Sequence, residues 1–390
     1  MNIGIESIGF YTSRYVLDLK NLAQMRQIEI EKFCAAGQSQ MSIAPPNEDI
    51  VTMSASAALE ALKESNKNEI DQLFFATESS FDQSKCAGIY VHHLLGLKNN
   101  CRVIEFKQAC YGATGALQLA VNEIRQNPHQ KILVIAADIA HYALNSVAET
   151  SQGCGAIALI ISAHPSILTI EKVSGYYVED VMDFWRPNYL TVPLVDGKYS
   201  ARIYLEALEK SFKAFHEKTN LNLNQIDYFC YHTPVPKLVE KAHKKLLQSL
   251  PEFYEKTVKD IQTGLCYARE VGNIYTASLY LNLLSLLENT EQDLSGKRVG
   301  FYSYGSGCMA EFFTGIVQKD YQKKLNKNFH EQQLSKRKFI NVETYEDWHR
   351  FSLPEDGSLF ELQQNETGEF SLKNVDQHKR NYVRQRAVCE

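Results

Sequence analysis

The chain has 390 residues, 44% of them hydrophobic and 22% charged, with a formal net charge of −5. That is ordinary globular composition, long enough for two domains or one large duplicated one, and it buries a sizeable core without disulfides or a structural metal. The mildly acidic balance gives no electrostatic reason to expect nucleic acid or an anionic membrane as partner, though local basic patches can still meet a phosphorylated ligand.

The N-terminal MNIGIESIGFYTSRY alternates like a strand and lacks the basic and long apolar regions of a signal peptide. No run of about 18 apolar residues suggests a transmembrane helix. The alanine-rich stretch Val51–Lys67 is expected to be helical and leads into the strand-like DQLFFATESS. Arg102–Phe106 reads as a short strand, followed by a helix over Tyr111–Gln126 with Gly112, Ala113, Gly115 and Ala116 crowded at its start. Small residues there let a helix end sit inside the protein. Ile132–Ile139 and Ala156–Ile161 have the length of buried strands, and Ile167–Val178 alternates.

A helix fits Ala201–Lys218, where Ile203, Leu205, Leu208, Phe212 and Phe215 fall near one face. IDYFCYH is a strand that breaks at His232, ahead of Pro234 and Pro236, and Lys237–Leu250 is a basic amphipathic helix. Asn273 precedes the apolar helix Ile274–Glu288; Val299–Tyr304 and Glu311–Val317 are two strands joined by a glycine-rich turn. Strand, reactive residue, helix and two strands thus occur around Cys110 and again around His232, a weak duplication in element order. Beyond about residue 320 the composition becomes charged; INVETYEDWHRF suits an amphipathic piece, the last stretch is expected to wrap the surface, and no catalytic signature appears. The nine cysteines lack paired spacing and read as reduced thiols of a cytoplasmic protein.

Cys110 follows a strand and opens a helix, so backbone N–H groups and the helix dipole are expected to face its sulfur and lower its pKa, as a nucleophile requires. The alternative is a buried structural cysteine. His232 stands where a strand gives way to a proline-bounded turn, either projecting into a cleft or hydrogen-bonded in the core. Glu78 follows an apolar strand, where partial desolvation raises a carboxyl toward the range of general acid/base work; it can equally be a cap or a solvated acid. Ser303–Gly307, SYGSG, offers backbone N–H groups for an oxyanion hole or forms a plain hairpin. Asn273 donates its amide to a carbonyl or caps a helix. GCGAIA at Gly153–Ala158 fits a dinucleotide pattern, but a strand follows it rather than a helix. There is no Walker A loop, GxSxG elbow, HExxH or paired CxxC, and the adjacent His92 and His93 cannot easily face one metal. No metal site is expected.

Taken together, APPNEDIVTM, ATESS, KQACYGAT, AADIAHYALNS, ETSQGCGAIA, DVMDFWRP, PLVDG, YHTPVPKL, VGNIYTASLY and FYSYGSG resemble, in order, the bacterial 3-hydroxy-3-methylglutaryl-CoA (HMG-CoA) synthases of the thiolase-like condensing superfamily. The resemblance covers about residues 1–350. It implies an α/β, thiolase-like duplicated fold, layered α-β-α-β-α, with two mixed five-stranded sheets around buried helices. The halves would be 1–165, with Glu78 and Cys110, and 166–320, with His232, Asn273 and the SYGSG turn; 321–390 is an appendage of unassigned role.

The resemblance also implies roles. Cys110 takes the acetyl group from acetyl-CoA, Glu78 is base and acid in carbon–carbon bond formation, and His232 positions and polarises acetoacetyl-CoA. Asn273 and Ser306 help hold acyl carbonyls. Tyr111, Asp138, Tyr142, Asp183 and Pro234 match pocket positions near the cysteine, and Lys237 a position facing CoA. A homodimer is implied, and no cofactor beyond the CoA thioesters. KQAC, HTP and SYGSGC are similar to polyketide-pathway relatives that use acyl carrier proteins, for which Lys241, Lys244 and Lys245 offer a docking face. ETSQGCGAIA, DFWRP and Lys237–Leu238 instead follow the mevalonate-pathway pattern, which is the reading preferred. A non-catalytic acyl-CoA-binding relative would be expected to lack the nucleophile or the acid, and Cys110, Glu78 and His232 are all present.

Overall fold

The computed structural model describes residues 1–385. Ten strands form one sheet: β1 (Gly4–Thr12), β2 (Ile70–Ala76), β3 (Arg102–Phe106), β4 (Lys131–Ile139), β5 (Cys154–Ser162), β6 (Leu168–Ile170), β7 (Gly175–Val178), β8 (Tyr228–Tyr231), β9 (Arg298–Gly305) and β10 (Met309–Val317). Their order across the sheet is β8-β9-β10-β6-β1-β5-β4-β2-β3, with β7 pairing onto β10. The first five strands and the last five therefore form two mixed groups, fused where Gly4 and Ile5 pair with Thr169 and Leu168. A Cβ on Gly4 would lie 1.9 Å from the Leu168 carbonyl oxygen, so the seam requires glycine.

The helices used below are α1 (Leu19–Arg26), α2 (Ile50–Ala61), α3 (Ala87–Leu95), α4 (Gly112–Gln126), α5 (Gly197–Thr219), α6 (Pro236–Leu246), α7 (Pro251–Gly264), α8 (Ser278–Asn289), α9 (Lys327–Ser335) and α10 (Val342–Arg350). The buried helices α4 and α8 share one core with inward residues of both strand groups. Every residue of α8 from Ser278 to Glu288 is buried, as an all-round apolar helix demands. Ala113, Ala116 and Ala120 keep α4 slim enough to lie beside it. On the outer faces, α2 covers the first group and α5 the second. This is the layered thiolase-like architecture.

Several boundaries differ from expectation. The helix expected over Val51–Lys67 stops at Ala61, and Lys67–Glu69 is a 3₁₀ turn. The stretch Ile167–Val178 is two strands, because Gly175 must press against the backbone of α5: its Cβ would lie 2.1 Å from the Ser211 oxygen. The helix expected from Ile274 starts with a 3₁₀ turn, Tyr275–Ala277, before α8. Helices α3 and α7 were not anticipated. The appendage packs rather than merely wraps: Phe370 and Leu372 of its small terminal sheet are buried, and α9 and α10 insert side chains among distant elements. No helix among the described residues is long and apolar enough to cross a membrane.

Candidate active site

Strands β2, β3 and β4 run parallel, so the residues after their C-terminal ends gather at one edge. Asp138 near the end of β4 organises that edge. One carboxylate oxygen accepts from Thr77 Oγ1 (2.9 Å), Glu78 N (2.8 Å) and Ser79 Oγ (2.8 Å), and the other from Thr276 N (3.1 Å). A fully buried carboxylate with four donors is a scaffold. It ties the Glu78 loop to the turn ahead of α8. Burial nevertheless raises its pKa to about 6.

Cys110 Sγ lies 3.0 Å from Glu78 Oε1, the contact expected of a nucleophile and its base. Each side chain keeps a partly open face, with protein crowding the rest. Burial, then the negative charge of Asp138, pushes the Glu78 carboxyl up to about 8. Burial and the Glu78 contact also push the Cys110 thiol well up. This reverses the expected lowering. Helix α4 begins only at Gly112, so the sulfur sits before the helix, where burial first and the neighbouring Glu78 second disfavour the thiolate. A thiolate forms here in the molecules whose Glu78 is ionised, a fraction that grows as pH approaches about 8, by handing its proton to that carboxylate.

The loop carrying Cys110 is held in a tight conformation. Ala109 has φ 43°, a left-handed value unusual for alanine. Gly305 at the end of β9 presses on the same loop: a Cβ there would lie 2.5 Å from the Gln108 carbonyl oxygen and 2.8 Å from Tyr111 N. Tyr111 turns its ring onto Gly115 and donates its hydroxyl to Glu311 Oε2 (2.7 Å). The apolar wall beside Cys110 comes from Ala140, Tyr142, Tyr275, Ala148 and Phe184. Tyr142, Tyr275 and Phe184 meet edge to face, with centroids 5.9 to 6.2 Å apart. Tyr275, at φ 43° and with a buried hydroxyl lacking a hydrogen-bond partner, was not singled out from the sequence. Its position within VGNIYTASLY was the available signal.

His232 follows β8 and is buried. Its Nδ1 is 2.7 Å from Ser278 Oγ, which also accepts the Thr233 N–H at 3.1 Å. Among the described residues Ser278 Oγ has no other acceptor, so its proton goes to Nδ1 and the imidazole proton sits on Nε2. Burial lowers the pKa of His232 to about 3, making it a neutral Nε2–H donor. It shares no hydrogen bond with Cys110 or Glu78 among the described residues, leaving that donor free.

Other expected residues serve differently. Asp183 is fully buried and accepts from Gly307 N (2.9 Å), Tyr304 OH (2.7 Å) and Ser200 Oγ (3.0 Å); it anchors the glycine-rich turn and reaches Cys110 only as a charge. With Gly307 N given to Asp183 and Cys308 N to Glu179, much of the expected oxyanion hole is occupied. The N–H groups of Cys110 and Ser306 make no internal hydrogen bond among the described residues. Asn273 Oδ1 caps the turn through Tyr275 N (2.8 Å). Pro234 is half-buried in the turn after His232. Lys237 lies on the exposed face of α6, bound to Glu240 (2.7 Å), and Lys245 pairs with Glu209 (3.2 Å).

The family model described as hydroxymethylglutaryl-coenzyme A synthase N terminal matches residues 1–166, and that described as the C terminal of the same synthase matches 168–263 and 243–385. The hydroxymethylglutaryl-CoA synthase of Enterococcus faecalis is 39% identical over 348 residues, covering 89% of this chain and 91% of that protein. A polyketide-biosynthesis 3-hydroxy-3-methylglutaryl-ACP synthase of Bacillus subtilis is 33% identical over 372 residues, covering 89% and 87%. A crystal structure of an HMG-CoA synthase complexed with CoA superimposes with a TM-score of 0.96 at 38% identity, covering 99% of this chain and 100% of that one. With the family models spanning nearly its whole length and the same fold built around a paired cysteine and glutamate, the chain belongs to the hydroxymethylglutaryl-CoA synthase family.

Proposed function

We propose that the protein condenses acetyl-CoA with acetoacetyl-CoA and water to give HMG-CoA and CoA, as a step of the mevalonate pathway. The observation that carries this reading is the 3.0 Å contact of Cys110 Sγ with the raised carboxyl of Glu78, in a chain of this family. Cys110 passes its proton to Glu78 and attacks the acetyl thioester; the departing CoA thiolate takes that proton, leaving acetyl-S-Cys110. Glu78 then removes a methyl proton, and the enolate adds to the ketone carbon of acetoacetyl-CoA. The N–H groups of Cys110 and Ser306 stabilise the enolate oxygen, and the neutral His232 Nε2–H polarises the acetoacetyl carbonyl. Glu78 returns its proton to the new alkoxide, and water cleaves the Cys110 thioester. This sequence closes its proton balance without a redox cofactor or a metal.

CoA is favoured over an acyl carrier protein as the donor because two of the four lysines on the relevant helix are already ion-paired, leaving Lys241 and Lys244 as its remaining exposed cations. A homodimer is supported by β3, an edge strand with free backbone groups on one side and Ile104 41% exposed. Two copies pairing β3 to β3 would satisfy that edge symmetrically. A cytoplasmic location agrees with the free thiols of the described cysteines.

Intact-protein mass spectrometry after mixing with acetyl-CoA, then acetoacetyl-CoA, beside Cys110→Ala, tests the reading. An acetyl adduct on the wild type alone, discharged into HMG-CoA, is expected. An adduct from acetyl carrier protein only would shift the assignment to β-branching in polyketide synthesis. No adduct from either donor would overturn the catalytic role of Cys110.

A further inference from the structure

The segment from Ala140 to Gln152, between β4 and β5, carries Tyr142 to the wall beside Cys110, yet it is largely irregular, with Asn145 at φ 63°. A loop of this kind has no ladder to hold its main chain, so buried backbone groups need side-chain partners. Both main-chain groups of Tyr142 have one. Its N–H donates to Gln152 Oε1 at 2.8 Å, and its carbonyl accepts from His349 Nε2 at 2.7 Å. Gln152 is held in turn: its Nε2 reaches the Tyr345 hydroxyl at 2.6 Å. His349 also stacks on His141, the residue before Tyr142, with centroids 3.9 Å apart and planes 15° apart.

Tyr345 and His349 stand four residues apart on one face of α10, within the appendage that shows no catalytic motif. Between them Glu346 completes a third tie. Arg26 of α1 binds Glu346 at 2.6 Å and Glu149 of the loop at 2.7 Å. One helix face therefore fixes the loop at its start through His349, at its end through Tyr345 and at its outer side through Glu346.

We propose that α10 is a positioning element for the active site, with His349 as the positioning residue that sets the Tyr142 ring beside Cys110. The inference rests on the reading of Cys110 as the acyl-carrying residue. His349 touches neither Cys110 nor Glu78, so it acts through the backbone of Tyr142. Losing the His349 donor leaves that carbonyl unpartnered and frees the loop to shift; a displacement of about 1 Å at a reacting centre costs up to about a hundredfold in rate.

The test compares His349→Phe, which keeps a ring against His141 but loses the donor, with His349→Gln, which keeps an N–H of similar reach. Two rates are measured: acetyl-Cys110 formation from acetyl-CoA, and alkylation of Cys110 by iodoacetamide. His349→Phe should slow acetylation by about ten- to a hundredfold and change the alkylation rate, while His349→Gln restores most of both. In the Tyr142→Ala background, His349→Phe should add little further, since both act through the same ring. Wild-type rates in His349→Phe, failure of glutamine to rescue, or full additivity with Tyr142→Ala would overturn the proposal. If wild type itself is never acetylated, the assignment of Cys110 fails instead, and the alkylation series still decides the role of α10.

Discussion

Replacing His330 by glutamine removes the cation from a buried cluster that joins three distant parts of the chain. His330 of α9 is almost completely enclosed. Its Nδ1 lies 2.9 and 3.0 Å from the two oxygens of Glu288 on α8, and its Nε2 within 3.0 Å of both oxygens of Glu60 on α2. Two nitrogens that both face carboxylates must both carry protons, so the ring is an imidazolium. Burial alone would lower its pKa, but the hydrogen bonds to Glu288 and Glu60 prevail and raise it from 6.5 to about 9. Each tenfold gain in proton affinity is worth about 1.4 kcal/mol, so the protonated ring contributes about 3 kcal/mol to folding. A group raised in the folded state stabilises fully below its unfolded value, here 6.5, and the contribution is lost as pH climbs through about 9. The assay is urea unfolding of wild type and His330→Gln from pH 6 to 10, taken as a difference so that groups titrating in both proteins cancel. The gap should be largest near pH 6 and narrow by about 3 kcal/mol by pH 10. A gap that stays constant between pH 7 and 10 would refute the ionised cluster.

Four further outcomes are expected. Glu78→Gln should cut condensation by about 10²- to 10⁴-fold; because the folded state holds Glu78 protonated up to about 8, wild type should lose stability as pH rises from 4.5 through that value, and thermal midpoints should show the variant spared that part of the decline. Gly305→Ala drives a methyl into the backbone of Gln108 and Tyr111, and should cost about 1–3 kcal/mol by denaturation and slow Cys110 acetylation. Ser278→Ala leaves the Thr233 N–H and His232 Nδ1 without their shared partner; acetylation of Cys110 should persist while turnover with acetoacetyl-CoA falls about tenfold, on the scale of one buried hydrogen bond. Ile104→Lys on the edge strand β3 should leave a 44.4 kDa monomer in the analytical ultracentrifuge, and a dimer that survives the change would place the interface elsewhere.

The apolar strand runs were legible beforehand, whether enclosed like β4 and β5 or at the sheet edge like β3. Arg102–Phe106 was placed at its observed bounds, and the apolar runs of β4 and β5 came within a residue or two at each end. Helices α3 and α7 escaped because each buries only three or four residues, so few positions mark an inward face. At the site, strand ends and short motifs pointed to Cys110, Glu78 and His232, but not to what each side chain would feel. The Cys110 shift comes from burial and then from a carboxylate 32 positions away, and the donor state of His232 depends on a serine 46 positions away.

The appendage marks the same division most sharply. Its polar composition announced a surface segment, because charge and a lack of long apolar runs record average exposure. What local composition cannot record is a partner brought near by folding. His330 reaches Glu60 across 270 positions and His349 reaches Tyr142 across 207. Sequence by itself determined the strands, the buried helices and the reactive residue types, since periodicity and residue chemistry are local properties. Tertiary structure alone decided which of those residues share a proton, which are spent as anchors, and which distant helix holds the active-site loop, because hydrogen bonds and pKa shifts arise from atoms a few ångströms apart, however far apart they lie along the chain.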